Sequence, residues 1–232
     1  MMAYPGVPAK IKALLFDAYE TLFDVHSVVL NGGRGITGDL EALSRLWRQK
    51  QLEFTWLRAL MEHYEDFWHV TEAALRSVVR QLSIELTDPQ LRMLMQAYLA
   101  PPAFDEARSA LGALKGIPMA ILSNGSPNML DSAVRNSGLK SYFAAIISAD
   151  QVKTYKPSPK VYVLGPENLH VPAEEILFIS SNSWDAAGAK AYGYQVCWCN
   201  RSNTRMDHLG FAPDFIVPRL DQIVERIPNL TQ

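Results

Sequence analysis

Short apolar runs that stop abruptly at polar residues punctuate the chain. Ile11–Phe16 stops at Asp17, and Pro118–Leu122 stops at Ser123-Asn124-Gly125. Glu175–Ile179 stops at Ser180-Ser181-Asn182, and Gln195–Cys199 stops at Asn200-Arg201. Ala145–Ile147 and Phe215–Val217 are shorter runs of the same kind. Runs of this length without alternation read as strands buried on both faces. Between them, helical spacing covers Asn128–Asn136, Trp184–Tyr192 and Leu220–Ile227. Strands alternating with helices predict an α/β fold, a mostly parallel sheet with helices on both faces. Such sheets hold ligands at the carboxyl ends of their strands. Asp17, Ser123-Asn124 and the segment Ser180 to Asp185 all fall there. Asp, Ser and Asn also cap helices and make turns, so one such cluster carries little weight. Several after successive strands carry more.

Residues 24–103 break the alternation. Leu40, Leu43, Trp47, Phe54, Leu57, Met61 and Tyr64 recur at helical spacing. Two further helices are expected over Thr71–Leu82 and Pro89–Leu99, opened by Thr71-Glu72 and Thr87-Asp88. Leu30–Gly38 holds four glycines and reads as a mobile connection, while Pro101-Pro102 marks the return to the sheet. The expected organisation is a core of residues 1–23 and 104–232, with a helical insertion of residues 24–103 after the first strand. The aromatics Trp47, Phe54, Trp56, Tyr64, Phe67 and Trp68 read mostly as packing within that insertion, a minority lining a pocket beneath it. Gly165-Pro166 is expected to end or kink the helix that follows Lys156.

Composition removes several function classes. Apolar residues are 48% of the 232, enough for a sizeable core, and the net charge is −2. No basic excess attracts nucleic acid or an anionic membrane. No apolar run is long enough to span a bilayer. Met1–Lys10, with Pro5, Gly6 and Pro8, reads as a loose leader rather than a secretory signal. Cys197 and Cys199 share one face of a strand, but no second ligand pair stands at metal spacing. They read as reduced thiols of a cytoplasmic protein.

Asp17, where the first strand ends, is the candidate nucleophile. A carboxylate is ionised at neutral pH and can attack carbon or phosphorus to form a covalent intermediate. Lys156, in the loop Thr154–Ser158, would hold and balance it, although most loop lysines are simply solvated. Asp185 would orient a water or pair with Lys156. Its plainer role is a carboxylate favoured at a helix N-terminus.

The order Asp17, Ser123, Lys156, Asp185 resembles the haloacid dehalogenase superfamily, over nearly the whole chain. The resemblance implies a Rossmann-like core and a small helical cap domain inserted after the first strand. Phosphatases of that superfamily carry a second Asp two residues after the nucleophile and hold magnesium. Tyr19 stands at that position here, and Ser180–Asp185 offers one carboxylate. A hard divalent cation wants several oxygen ligands, so no metal and no cofactor are expected. Phe16-Asp-Ala-Tyr19, Thr21–Ser27, Leu46–Leu52, Ile121–Gly125, Tyr155–Pro157 and Ser180–Asp185 resemble the L-2-haloacid dehalogenase branch.

That branch implies a 2-haloacid as the small-molecule partner and a homodimer. Asp17 would displace halide with inversion, and water would hydrolyse the resulting ester to a 2-hydroxyacid. Arg48 would receive the halide, and Ser123 with Asn124 the substrate carboxylate. Lys156 would support Asp17. Ser180, Asn182 and Asp185 would place water, with Thr21 and Tyr162 in supporting positions. Tyr19, Gln49, Leu52, Phe67 and Trp184 would line the substrate pocket. A phosphatase of the same fold and a non-catalytic binding protein stay open as other readings.

Glu20 departs from the pattern, which has glycine there. A left-handed turn at this position strains a non-glycine residue by about 1–3 kcal/mol. Turned inward, its head would set a second negative charge near Asp17, so it is expected to point to solvent.

Overall fold

The structure, a computed structural model, describes residues 11–227, and the leader reading of Met1–Lys10 lies outside the described residues. Six strands form one parallel sheet: β1 (Ala13–Phe16), β2 (Met119–Ser123), β3 (Ala145–Ser148), β4 (Ile176–Ser180), β5 (Gln195–Cys199) and β6 (Phe215–Val217). Their order is β3-β2-β1-β4-β5-β6, so β1 is central and its neighbours on both sides come later in the chain. Every residue of β1 is fully buried. Its side chains alternate between two cores: Leu14 and Phe16 enter one, Ala13 and Leu15 the other. Burying a Leu or Phe contributes about 1.5–3 kcal/mol, so β1 is a principal anchor of the sheet. Phe16 pairs with Ile121 of β2 and Ile179 of β4, which puts Asp17 level with Leu122 and Ser180 at the carboxyl edge.

Between β1 and β2 lie α1 (His26–Gly32), α2 (Leu40–Leu60), α3 (Phe67–Gln81) and α4 (Asp88–Ala97), followed by α5 (Ala107–Ala113). Later come α6 (Pro127–Asn136), α7 (Pro159–Tyr162), α8 (Leu164–Leu169) and α9 (Ser183–Tyr192). The chain enters and leaves the α1–α4 segment at one place. Phe23 bridges Ala103 antiparallel, the Asp24 N–H donates to the Pro102 carbonyl at 2.8 Å, and the Phe104 N–H donates to Leu22 at 3.0 Å.

Several local expectations change. Thr71 does not open a helix: α3 starts at Phe67, capped by the Asp66 carboxylate, which accepts from the Trp68 and His69 N–H groups. Thr71 sits in the middle of that helix, buried. Thr87 does cap α4, with Gln90 reciprocating. Part of the glycine-bearing segment, Leu30–Gly32, belongs to α1. Leu220–Arg226 winds as a 3-10 helix. The break after Lys156 falls at Val163, so Pro166 lies in the first turn of α8, where no intrahelical N–H is needed. Gly165 beside it packs so closely that a Cβ would overlap the Tyr194 hydroxyl.

Candidate active site

Asp17 leaves β1 into a ring of donors. Its Oδ2 accepts from Asn182 Nδ2 at 2.9 Å, Thr21 Oγ1 at 3.2 Å and, more weakly, Ser180 Oγ at 3.4 Å. Its Oδ1 accepts only from Lys156 Nζ, at 3.1 Å. Oδ2 is therefore saturated, and Oδ1 keeps a lone pair free for attack. The donors are themselves held. Thr21 Oγ1 accepts the Ser181 N–H at 2.8 Å, Ser180 Oγ accepts the Asn182 N–H at 3.1 Å, and Asn182 Nδ2 also reaches the Tyr19 carbonyl at 3.2 Å.

Lys156 is 1% exposed and stands between two carboxylates, 3.1 Å from Asp17 Oδ1 and 2.9 Å from Asp185 Oδ2. Its ammonium also lies 4.8 Å from the Phe178 ring centre. A buried charge is tolerable only when paired and hydrogen-bonded, and this one is. Asp185 is fully buried at the start of α9 and accepts a second bond from Tyr162 Oη at 2.7 Å. Burial first, and the Asp17 charge second, push its carboxyl up to about 6 against the pull of Lys156 and Tyr162. Burial and the Asp185 charge push the Tyr162 phenol well above its ordinary value, so it acts as a neutral donor.

Ser123 and Asn124 end β2 beside this cluster. Asn124 Oδ1 accepts the Lys156 N–H at 2.8 Å, while its Nδ2 is buried without a partner. Ser123 Oγ accepts the Gly125 N–H at 3.2 Å, which leaves its own proton to donate. The Tyr19 hydroxyl is also buried and unpartnered. Buried donors left unpaired cost about 1–3 kcal/mol each, a cost that an acceptor placed beside them would offset. The Tyr19 ring stacks on Phe67 at 5.8 Å and touches Tyr98 at 5.7 Å, which ties the α3–α4 side to the sheet. Gly125 makes room for it: a Cβ there would sit 3.0 Å from Tyr19 Cε2 and 2.8 Å from Leu130 Cδ2.

Arg48, which is buried, and Glu20 form a second ion pair. Glu20 has a φ of 66°, the left-handed turn expected of this position. Its head does not point to solvent. Oε2 accepts from Arg48 Nε at 2.9 Å and pairs with Nη2 at 2.8 Å, while Oε1 lies 3.2 Å from His26 Nε2. The head turns instead to the buried Arg48 charge, which needs a counter-ion that Asp17, already ringed by donors, does not supply. Burial raises the Glu20 carboxyl, but Arg48 and His26 more than offset it and hold it at about 2. Burial works against the Arg48 charge, and Glu20 above all keeps it protonated.

A depressed carboxyl stabilises the fold above its ordinary value of 4.5, and this contribution is lost as pH falls toward 2. Glu20→Gln is accordingly expected to lose about 2–3 kcal/mol at pH 7. Urea titrations at stepped pH would show the gap between the two proteins closing below pH 4.5. A gap independent of pH would contradict the ion pair.

The remaining expected residues are placed less uniformly. Leu52 is half-buried on α2. Trp184 is half-buried and meets Trp56 of α2 edge-on at 5.4 Å. Gln49 is exposed and is not brought to the site. Gln51 is, although the sequence reading missed it. It is fully buried, its Oε1 accepts from Arg48 Nη1 at 2.8 Å and Tyr98 Oη at 3.0 Å, and its Nε2 donates to Thr71 Oγ1 at 2.6 Å. The signal was helical spacing: i+3 shares a face with Arg48 and i+1 does not. Arg201 was also missed. It donates to the Thr21 carbonyl at 2.7 Å, pairs with Glu106 at 3.0 Å and lies over the Phe104 ring at 4.0 Å, so it braces the turn after Asp17.

A cleft of about 890 Å³ runs between Tyr64–His69 and Ser126–Met129 and does not contain Asp17, which is 6% exposed. Asp17 and its ring of donors lie in an enclosed cluster apart from that cleft. Among the described residues no group of three or more His, Cys, Asp or Glu side chains is arranged to hold a metal ion. The two nearby carboxylates share the Lys156 ammonium instead.

Residues 11–193 match the family model described as haloacid dehalogenase-like hydrolase. The chain is 46% identical over 220 residues to haloacetate dehalogenase H-2 of Moraxella sp. (strain B), covering 94% of this chain and 98% of that one. It is 44% identical over 217 residues to the (S)-2-haloacid dehalogenase of Pseudomonas sp. (strain YL), covering 93% and 94%. Its fold matches the L-2-haloacid dehalogenase of Xanthobacter autotrophicus with chloropropionic acid covalently bound. The TM-score is 0.89 at 39% identity, over 94% of this chain and 99% of that one.

Proposed function

The chain belongs to the haloacid dehalogenase-like hydrolases, and on that footing we propose that it hydrolyses short L-2-haloacids to D-2-hydroxyacids and halide through an ester on Asp17. The observation that carries the reading is the asymmetry of the Asp17 carboxylate, with Oδ2 fixed by three donors and Oδ1 free on one side. Oδ1 attacks C2 opposite the halogen. The C–O bond forms as the carbon–halogen bond breaks, and the electron pair leaves on halide toward Arg48. Ser123 Oγ and Asn124 Nδ2 bind the substrate carboxylate. Tyr19 and Phe67 supply the apolar wall that keeps the nucleophile poorly solvated.

In the second half, water attacks the ester carbonyl of Asp17. Once Asp17 is an ester its charge is gone, and with it one of the two pushes on Asp185. Asp185 is then an ionised acceptor for the water proton, oriented by Lys156 and Tyr162. The acyl–oxygen bond breaks, the alkoxide takes up a proton, and the Asp17 carboxylate returns.

We assign residues 24–103 to a cap and residues 1–23 with 104–232 to the core; the paired crossing at Phe23 and Ala103 supports that division. A homodimer is supported by exposed Leu57, Leu60 and Met61 at the end of α2. A cytoplasmic setting is supported by two buried free thiols, Cys197 and Cys199. No helix among the described residues is long and apolar enough to cross a membrane.

The test is halide release from the separate enantiomers of 2-chloropropionate with a chelator present. Release from the S enantiomer alone, unaffected by the chelator, is expected. Magnesium-dependent phosphate release without any halide release would replace the reading with a phosphatase.

A further inference from the structure

Glu20 occupies Arg48 in a way that bears on the leaving group, given the reading of Arg48 as the halide receiver. A guanidinium carries five N–H donors. Glu20 Oε2 engages Nε at 2.9 Å and Nη2 at 2.8 Å, and Gln51 Oε1 engages Nη1 at 2.8 Å. Glu20 and Gln51 thus occupy the Nε edge and one N–H of Nη1, and Glu20 also lies against Nη2. The pair is a built feature. The Glu20 backbone is held at φ 66° with its N–H bonded to the Phe23 carbonyl at 2.7 Å, and its second oxygen meets His26. A strained non-glycine residue persists only where its surroundings over-determine it. A halide leaving C2 thus meets a guanidinium whose charge is already matched.

We propose that Glu20 is a specificity-determining residue that competes with halide for Arg48. It weakens capture of the departing anion, speeds release of the halide product, and biases the enzyme toward substrates with better leaving groups. The bond-breaking step itself is unchanged: the carbon–halogen electron pair leaves on the halide, which competes with Glu20 for the guanidinium. Substrates whose leaving group depends most on protein assistance lose most, so chloride is penalised relative to bromide.

Two variants separate charge from backbone. Glu20→Gln keeps length and the strained turn but removes the charge, and Glu20→Gly removes both. Bromide affinity is read at constant ionic strength from tryptophan fluorescence, since Trp47 is buried against Tyr98, whose hydroxyl bonds the Gln51 that holds Arg48. Both variants are expected to bind bromide about tenfold more tightly than the parent, the scale of one charge-assisted hydrogen bond. The kcat/KM ratio of 2-chloropropionate to 2-bromopropionate is expected to rise alongside. Adding Arg48→Gln to either variant should abolish the gained affinity. Bromide affinity unchanged in both, or raised only in the glycine variant, would overturn the proposal. Absence of halide release from every protein would instead sink the dehalogenase reading, while the bromide measurement would still decide the role of Glu20.

Discussion

Asp17→Asn is expected to lower halide release by roughly four orders of magnitude or more, since it removes the nucleophile rather than an accessory group. An amide nitrogen or oxygen does not displace halide from carbon at any useful rate. The substitution preserves volume. Its stability effect is a balance. Facing Asn182 and Thr21 with an NH2 group forfeits acceptor capacity, about 1–3 kcal/mol. Against that, Lys156 and Asp185 are left as a one-to-one pair in place of one cation between two anions. The variant should therefore fold, which circular dichroism would establish. Mass spectrometry of the parent quenched during turnover should show a covalent adduct that the variant lacks. An Asp17→Asn protein working within tenfold of the parent would remove Asp17 from the mechanism.

Lys156→Met is expected to be the most destabilising single change at the site. Methionine matches the length of the stem but leaves two buried carboxylates without the cation that stands 3.1 Å and 2.9 Å from them. Breaking a buried pair in this way costs about 3–5 kcal/mol. The sign with pH follows from Asp185, whose carboxyl is already pushed up by burial and by Asp17. Without Lys156 it rises further, so acidification protonates it and relieves the repulsion. The loss should be largest at pH 7–8 and smaller at pH 5, and Lys156→Met/Asp185→Asn should recover part of it at neutral pH. Chemical denaturation of the three proteins across that range checks this. A loss that grows on acidification would mean the charges are arranged otherwise.

The sheet and its polar edge could be read from the sequence because buried strands have a simple signature. Ala13–Phe16 and Ile176–Ser180 carry almost nothing but apolar side chains, and the polar residues that end them form the cluster around Asp17. The insertion was legible as helical, but its first helix was not, since seven residues running into Gly32-Gly33 show little periodicity. Thr71 misled because a Thr-Glu pair resembles a helix start, whereas Asp66 is the stronger cap and lies five residues earlier. Glu20 misled for a different reason. Local reasoning weighed its turn and its distance from Asp17, but its partner is Arg48, 28 residues away on α2. Separation in sequence also hid Arg201, which meets Thr21 across 180 residues. Side chains whose roles are set by spacing within one element, such as Gln51, were within reach. Those set by the closing of the chain on itself were not.

The crossing at Asp24 and Pro102 has an evolutionary corollary. A segment whose two ends are one hydrogen bond apart, 2.8 Å between N and O, has the end geometry that insertion or exchange as a unit requires. Its excision leaves a gap that a tight turn closes, and its replacement by a longer or shorter module leaves the sheet register intact, because loop-closure entropy grows only slowly with length. Arg48, Gln51 and Phe67 travel with that module, whereas Asp17, Lys156 and Asp185 stay behind. On the function proposed above, exchanging the segment would change the residues that meet the leaving group and leave the nucleophile in place.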